Sequence, residues 1–241
     1  MGSRMSLVDT VTDTLLERIV SGEFSGGRAL PPEDLLAEQS GASRLTVREA
    51  VKVLASQNVL RPVQGRGTFV NPAERWTSLD AIVRVQRGDA TKAIAQLVEV
   101  RAMIEVGAAE LFASRATDPE LRAMAADLES MRTAHAESDV HAFVAADMSF
   151  HNGILDGCGN PFVPATFLPI SRALQDARYR TSEVAVIREH ALVEHGNILD
   201  ALGTGSAQAA GAAMRSHLIQ TRDDAREHLG TPLPTGTSST G

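Results

Sequence analysis

From Ser78 to Leu229 the sequence has the pattern of one helix after another: it is rich in Ala and Leu and contains few runs of β-branched residues. Asp118-Pro119 and Asn160-Pro161 are helix-start signals, and glycines between the segments are helix stops. The pattern predicts helices near 78–87, 90–115, 118–137, 139–157, 160–180, 183–203 and 205–229. A stretch with this much helix and so little strand pattern folds as an all-α bundle.

The residues before this stretch predict three short helices followed by a hairpin. Apolar residues recur at helical spacing near the start, Pro31-Pro32-Glu33 starts a second helix, and Ser43 caps a third. The segment from Val59 to Val70 alternates around Gln64-Gly65-Arg66-Gly67, where the glycines favour a tight turn. This order of elements is that of a winged helix-turn-helix. We therefore expect a mainly α chain, with an N-terminal winged helix-turn-helix ahead of the C-terminal all-α helical bundle.

The charge of the chain is unevenly distributed. The formal net charge is −7, yet residues 41–76 carry six basic and only two acidic side chains. Arg44, Arg48 and Lys52 recur every four residues on the third helix. The major groove of B-DNA admits one helix with its side chains facing the base edges, and a basic hairpin tip can enter the neighbouring minor groove. The pattern favours double-stranded DNA as the partner over a merely solvated helix face.

Three motifs carry a family resemblance. They are Leu30-Pro31-Pro32-Glu33, Ser43-Arg44-Leu45-Thr46-Val47-Arg48-Glu49-Ala50 and Gln64-Gly65-Arg66-Gly67-Thr68-Phe69-Val70. Together they resemble the DNA-binding domain of GntR-family bacterial transcription regulators, over residues 7–70. The resemblance implies operator contacts by Ser43, Arg44, Thr46 and Arg48, and by Gln64, Gly65 and Arg66 at the wing. Asp34 departs from the family pattern, which usually has a DNA-contacting arginine there, so we expect weaker binding or a shifted site preference.

The helical stretch holds a candidate metal site. Asp147 and His151 are four residues apart, which places a carboxylate and an imidazole on one helix face. His195 and His217 lie on two further predicted helices, and bundle cores commonly build metal sites from facing helices. The set suits a divalent metal ion, zinc first, with nickel, iron, manganese and cobalt as alternatives. Taken alone, each histidine is explained more simply as a surface residue or a hydrogen-bonded core residue.

A second resemblance bears on this site. The motifs Glu99-x-Arg101-x-x-x-Glu105, Asp147-x-x-x-His151, Gly159-Asn160, Glu194-His195 and Met214-x-x-His217 resemble the effector domain of FadR-type GntR regulators, the FCD domain, over residues 90–225. In its metal-dependent branch, the metal is held by the residues that match Asp147, His151, His195 and His217. We therefore expect no fatty-acyl ligand.

Arg101 has two interpretations, because a buried guanidinium needs an anionic partner. It can form a structural bridge to Glu105 or Glu99. Alternatively, it is an effector-binding residue that grips an organic acid beside the metal through two parallel hydrogen bonds. The resemblance favours effector binding.

These patterns divide the chain into five parts. Residues 1–4 look like the remnant of a cloning tag, and 5–71 form the winged helix-turn-helix DNA-binding domain. Residues 72–88 form a linker and a connecting helix. Residues 89–229 form the helical effector-binding and dimerisation domain, and 230–241 form a disordered tail rich in Pro, Thr, Ser and Gly.

The sequence gives no sign of a membrane protein or an exported one. No apolar run reaches the ~18 residues that a membrane span needs, and no secretory signal is visible. Cys158 is the only cysteine, so that no internal disulfide can form. We expect a cytoplasmic protein with no membrane partner.

The expected function is that of a bacterial transcription repressor, not an enzyme. As a homodimer it would bind double-stranded operator DNA, with an affinity controlled by a small organic acid at the metal. The resemblance implies a hydroxy acid, a dicarboxylate or a sugar acid. Two alternatives stay open: a metal-dependent enzyme acting on a small carboxylate, and a bundle that the metal only stabilises. The sequence shows no general base or nucleophile at a telling spacing, which weighs against the enzyme.

Overall fold

A computed structural model describes residues 6–86 and 90–229, and it divides the chain into two units, residues 1–88 and residues 89–241. The predicted tag remnant and the predicted C-terminal tail lie outside the described residues. Among the helices of the described ranges, none combines the length and the apolar character that a membrane crossing requires.

The first unit is a helical head with a hairpin. Its elements are α1 (Leu7–Val20), α2 (Glu33–Ser40), α3 (Arg44–Ser56), β1 (Leu60–Val63), β2 (Gly67–Val70), a 3₁₀ turn (Ala73–Arg75) and α4 (Leu79–Val85). The strands pair antiparallel, with Leu60 opposite Val70. The N–H of Leu30 donates to the carbonyl of Thr68 at 2.7 Å, so that the segment before α2 extends the hairpin at its outer edge. This is the predicted winged helix-turn-helix.

Local signals set the boundary between α2 and α3. Gly41 ends α2 with a φ of 63°, a left-handed conformation that glycine adopts without a clash from Cβ. The hydroxyl of Ser43 then accepts the backbone N–H of Thr46 and caps α3. The apolar face of α3 is buried in the head at Val47, Val51 and Leu54. Burial of that face leaves the basic side chains of α3 on the surface.

The start of the predicted linker, residues 72–77, packs onto the head. Trp76 is only 7% exposed, and its indole N–H donates to the carbonyl of Asn71 at 2.9 Å. The N–H of Thr77 donates to the carbonyl of Gln57 at 2.9 Å. The sequence predicts a linker here. Burial of the large indole ring nevertheless holds this part of the segment against the head.

Helix α4 also belongs to the first unit, where Arg84 ties it to α1. The guanidinium of Arg84 is buried and pairs with Asp13 at 2.8 Å, Glu17 at 2.9 Å and Asp80 at 2.8 Å. Burial alone would lower the pKa of Arg84, but the surrounding carboxylates raise it. The connecting helix is therefore fixed to the head by charge as well as by apolar packing.

The second unit is the predicted all-α bundle. Its elements are α5 (Ala90–Ala113), α6 (Asp118–Ala136), α7 (Val140–Gly157), α8 (Phe162–Phe167), a 3₁₀ turn (Leu168–Ile170), α9 (Ser171–Ser182), α10 (Ala185–Gly203) and α11 (Ala207–Leu229). Helix α5 packs along α11, α6 packs along α7, and α10 contacts both α6 and α11. Phe112, Phe150 and Met214 are completely buried between them. The predicted fold class is confirmed.

Between residues 160 and 180 the structure has two helices where the sequence pattern predicts one. Pro164 lies within α8, and Pro169 lies in the 3₁₀ turn that follows. Proline has no N–H to donate, and its ring clashes with the preceding helical turn. The helix therefore stops before Pro169 and resumes at Ser171, which turns α9 towards α7.

Candidate metal centre and nucleic-acid interface

Three histidines from three helices converge in the core of the second unit. His151 lies on α7, His195 on α10 and His217 on α11, and their ring centroids are 4.6 to 5.2 Å apart. One nitrogen of each ring lies within 4.8 Å of one nitrogen of both others. All three side chains are buried, with no more than 4% of any residue exposed. The bundle thus brings together residues that are far apart in the sequence.

Asp147 lies one turn before His151 on α7 and faces the same group. Its Oδ1 is 3.1 Å from Nε2 of His195 and 3.9 Å from Nε2 of His151. Burial alone would raise the pKa of Asp147, but the charge of the Arg178 guanidinium holds it well below its usual value. An ionised carboxylate therefore faces the histidines, and all four residues predicted as metal ligands lie together.

The hydrogen bonds of His195 define where its proton lies. Its Nδ1 is 2.7 Å from the carbonyl oxygen of Ala191, which can only accept, so that Nδ1 carries the proton and donates. Nε2 of His195 is buried without a hydrogen-bond partner, and so is Nε2 of His217. In the neutral ring, Nε2 of His195 and Oδ1 of Asp147 are both acceptors that face each other. A cation between such acceptors satisfies their lone pairs, so the residues present fit a metal ion.

Burial keeps the imidazoles of His151 and His217 uncharged. It lowers the pKa of His151 to about 4 and lowers the pKa of His217 well below its usual value. Both rings are therefore neutral at pH 7. The neutral imidazole is the form that binds metal, so that these two side chains would release no proton on binding one.

A buried ion pair borders the histidines. Nε of Arg101 donates to Oε1 of Glu105 at 2.6 Å, and Nη2 of Arg101 is 3.2 Å from Nε2 of His151. Oε2 of Glu105 is 2.8 Å from Nδ1 of His151, although the two are not aligned as a hydrogen bond. Burial would raise the pKa of Glu105, but Arg101 and His151 lower it well below its usual value. The bridge to Glu105, one of the two interpretations of Arg101, is present beside the histidines.

Arg178 on α9 is a second buried arginine at this site, and the sequence analysis missed it. Its Nε donates to Oδ2 of Asp147, on the side of the carboxylate away from His195. The side chain is 9% exposed. In the sequence, Arg178 stands two residues before the exposed Arg180, and nothing in the charge pattern distinguishes the two. Only the packing of α9 against α7 does so.

A cavity of about 250 Å³ opens beside this group, between α7, α8 and α9. Glu105, His151 and Arg178 line it together with apolar side chains and with three further polar residues, Asn152, Asp156 and Ser171. Arg101 is not among the described residues at its wall. Ligand pockets are commonly ~300–1,000 Å³. The cavity lies slightly below this range.

Two other histidines have partners of their own. Nδ1 of His190 is 3.0 Å from Oδ1 of Asp224, and Nδ1 of His141 is 3.2 Å from the hydroxyl of Tyr179. Neither belongs to the group of three.

The predicted DNA-contacting residues lie at two places on the surface of the first unit. Four lie at the start of α3 and three at the tip of the hairpin: Ser43, Arg44, Thr46 and Arg48, and Gln64, Gly65 and Arg66. Gly65 has a φ of 71°, which the tight turn requires. Thr46 is partly buried, with its hydroxyl 2.8 Å from that of Ser43, and the other six are exposed.

Two family comparisons identify the chain. The sequence model of bacterial regulatory proteins of the gntR family matches residues 7–70, and the model of the FCD domain matches residues 96–220, half of the chain. The chain belongs to the GntR family. It combines the winged helix-turn-helix of that family with an FCD domain, as the motifs predicted.

This GntR-family protein is similar to known regulators over most of its length. It is 28% identical over 213 residues to the HTH-type transcriptional regulator LutR of Bacillus subtilis (strain 168), covering 85% of this chain and 94% of LutR. It is 29% identical over 216 residues to the galactonate operon transcriptional repressor of Escherichia coli (strain K12), covering 86% of this chain and 93% of the repressor.

A solved structure supports the fold. Lar, which controls the expression of the Listeria monocytogenes agr system, aligns with a TM-score of 0.64 and 20% identity, over 94% of this chain and 100% of that chain. The matched families and relatives are transcription regulators. The GntR-family protein is therefore a DNA-binding transcription regulator and not an enzyme.

Proposed function

We propose that this protein is a repressor whose affinity for operator DNA is controlled by a small organic acid bound next to a metal ion in the FCD domain. The observation that carries the proposal is the facing pair of acceptors, Nε2 of His195 and Oδ1 of Asp147, beside a cavity lined by Arg178. Without a cation, this buried arrangement sets acceptor against acceptor, which costs free energy.

The metal would be held by Asp147, His151, His195 and His217. Imidazole and carboxylate ligands suit zinc first, and nickel, iron, manganese or cobalt also accept this set. When bound, the ion would act as a Lewis acid for an oxygen of the effector. Arg178 already pairs with Asp147 and would orient this carboxylate, as outer-shell partners of metal ligands do.

The buried charges beside the cavity favour an anionic effector, whereas Asp156, the other carboxylate of the lining, is exposed to solvent. Arg101 and Arg178 balance Glu105 and Asp147, and His151 and His217 are neutral. A divalent cation added to this balanced group leaves an excess of positive charge in a buried place. An organic anion would neutralise that excess and could pair with Arg178 at the cavity wall.

The effector class follows from size and charge. The cavity of about 250 Å³ accommodates a hydroxy acid, a dicarboxylate or a sugar acid. One relative is named for a galactonate operon, and galactonate is a sugar acid, so sugar acids belong in the tested set. Arg101 does not line the cavity, and we assign it to the support of His151, because its Nη2 lies 3.2 Å from Nε2 of that ring.

Ser43, Arg44, Thr46 and Arg48 would contact the operator from the major groove, and Gln64, Gly65 and Arg66 from the wing. A homodimer would present two such heads to a two-fold operator. An effector changes operator affinity only if it binds the competent and incompetent states of the protein unequally.

The test is a pair of measurements on zinc-loaded protein with a panel of hydroxy acids, dicarboxylates and sugar acids. Thermal melting identifies the acid that binds, since a ligand at 100 times its dissociation constant adds about 2.7 kcal/mol of stability. Fluorescence anisotropy of a labelled duplex, selected by the protein from a randomised library, then reports DNA release. Stabilisation and release that both disappear after metal removal support the proposal; an acid that acts equally without metal contradicts it.

A purely structural metal is the second candidate, because all three histidines are nearly inaccessible to solvent. In that case, metal removal lowers the melting temperature but leaves the response to the acid intact. The His195→Ala variant separates the two roles. Loss of the acid response with little change in the melting of the metal-free protein would exclude the structural role.

A further inference from the structure

The basic stripe of α3 is neutralised by neighbouring carboxylates. Nε of Arg44 lies 2.6 Å from Oδ1 of Asp34, and Nη2 of Arg48 lies 2.9 Å from Oε2 of Glu33. The third cation of the stripe, Lys52, lies 2.8 Å from Glu49 on its own helix. The three cations of the α3 stripe thus face three carboxylates.

These pairs contribute little to folding. The side chains of Arg44 and Asp34 are 61% and 64% exposed, and exposed ion pairs stabilise a protein by about 0–1 kcal/mol. Carboxylates in the first turn of a helix are also favoured by the helix dipole without any cationic partner. Folding stability therefore does not explain the pairing of Asp34 with Arg44 on α3. We look for the effect of this pair in DNA binding.

Asp34 restricts what Arg44 can bind. A guanidinium has five N–H donors, of which the terminal amino groups form one edge and Nε–H lies on another. Oδ1 of Asp34 lies close to Nε of Arg44, without the alignment of a hydrogen bond, so that the amino groups of the terminal edge keep donors for a base. A bidentate contact with O6 and N7 of guanine needs only two donors. The partner carboxylate meanwhile cancels the charge that would attract any phosphate.

We infer that Asp34 is a specificity-determining residue of the DNA-binding surface: it directs Arg44 to a base edge and suppresses sequence-independent binding to the phosphate backbone. The inference rests on the proposed role of Arg44 at the operator. Sequence-independent binding comes from cations that displace counterions from phosphates, and each phosphate contact steepens the salt dependence by about 0.9 in log–log slope. A cation that is already paired with a carboxylate contributes less to this salt-dependent binding.

The test uses Asp34→Asn, which removes the charge and keeps the size, in the full-length protein. Two labelled duplexes are compared by anisotropy at several salt concentrations: the duplex that the wild type selects from a randomised library, and a scrambled duplex of equal composition. We expect Asp34→Asn to bind the scrambled duplex at least about threefold more tightly, with a log–log salt slope steeper by up to about 1. The affinity ratio between the two duplexes should fall.

Glu38→Gln is the matched control, because Glu38 is an exposed carboxylate one turn further along α2. It should leave the affinity ratio unchanged. The double variant Asp34→Asn/Arg44→Ala tests whether Asp34 acts through Arg44. In the Arg44→Ala background, Asp34→Asn should have no further effect on the scrambled duplex.

Two results would overturn the inference. One is an equal gain on both duplexes, because Asp34 would then act only as a general repulsive charge. The other is the same gain with and without Arg44. If the wild type selects no preferred duplex at all, the assignment of the operator surface itself fails, and the inference fails with it.

Discussion

Arg178 and Asp147 form a buried ion pair across α9 and α7, and Oδ1 of the same carboxylate faces Nε2 of His195. One oxygen of Asp147 is thus held by a cation of the protein, while the other is directed at the histidines. This division leaves one oxygen for a metal ion and places Arg178 between the metal ligand and the cavity. The arrangement would link the proposed metal site to the proposed effector site through one carboxylate.

The first prediction concerns the metal. His195→Ala should weaken zinc binding by about 100-fold or more. Mutation of an outer-shell partner already lowers metal affinity by ~10–100-fold, and loss of a direct ligand should cost at least as much. Titration calorimetry on protein stripped with a chelator measures the affinity. His141→Ala is the control, since His141 is exposed and contacts Tyr179 instead of the triad. Equal affinities of the His195 variant and the wild type would contradict the ligand assignment.

The second prediction concerns Arg178. Arg178→Gln should lower the affinity for the organic acid at least about tenfold, because a charge-assisted pair at the cavity wall is lost. The smaller thermal stabilisation by the acid measures this loss. Zinc should bind with about 10–100-fold lower affinity, because Arg178 is the outer-shell partner of Asp147, so the acid is tested at saturating zinc. Arg180→Gln removes a neighbouring exposed charge and should change neither. If the Arg178 variant responds to the acid as the wild type does, Arg178 does not touch the effector.

The architecture could be predicted from the sequence because its signals are local. Gly41, the Ser43 cap and the glycines of the wing fix turns and helix ends within a few residues. Trp76 was misjudged as part of a linker because its burial depends on contacts with the folded head, which no local pattern encodes. The break before Pro169 also depends on the folded structure. The prolines of this segment are present in the sequence, but the direction that α9 takes towards α7 cannot be read from them.

The candidate metal site also has one part that could be predicted from the sequence and another part that could not. The spacing of Asp147 and His151 places them on one helix face, and the structure keeps them there. The convergence of His195 and His217 came from the family resemblance, since the distance between helices cannot be read from spacing. Arg178 matched no motif and depends on how α9 packs, so it could be found only in three dimensions.

The third prediction concerns the recognition helix. Arg48→Ala should weaken binding to the selected duplex by about tenfold or more, since a good contact to a base edge is worth about 1–3 kcal/mol. The fold should be unaffected, because Arg48 pairs with Glu33 at the surface. Fluorescence of Trp76, the only tryptophan, checks the fold of the head. Arg75→Ala, an exposed cation outside α3 and the wing, is the control; equal affinity of the Arg48 variant and the wild type would refute the groove assignment.

The fourth prediction concerns pH and the metal-free protein. Burial lowers the pKa of His151 to about 4 in the folded chain, whereas an unfolded chain has the ordinary value of about 6.5. Between pH 6.5 and 4, His151 binds a proton in the unfolded state but not in the folded state. The free energy of unfolding therefore falls as the pH drops through this range. At pH 5 this loss is about 2 kcal/mol for His151 alone, and His217 adds to it because its pKa is lowered too.

Urea unfolding of chelator-treated protein at pH 7 and pH 5, followed by far-UV circular dichroism, measures the loss. Asp147 and Glu105 do not oppose it, because the pKa of each is lowered and their stabilisation is lost only below the ordinary carboxyl range. His151→Gln should show a smaller difference between the two pH values than the wild type, whereas His141→Gln, at an exposed position, should show the full difference. An unfolding free energy that is the same at both pH values would mean that the histidines are solvated in the metal-free protein, and that the buried acceptor pair between α7 and α10 does not form without the ion.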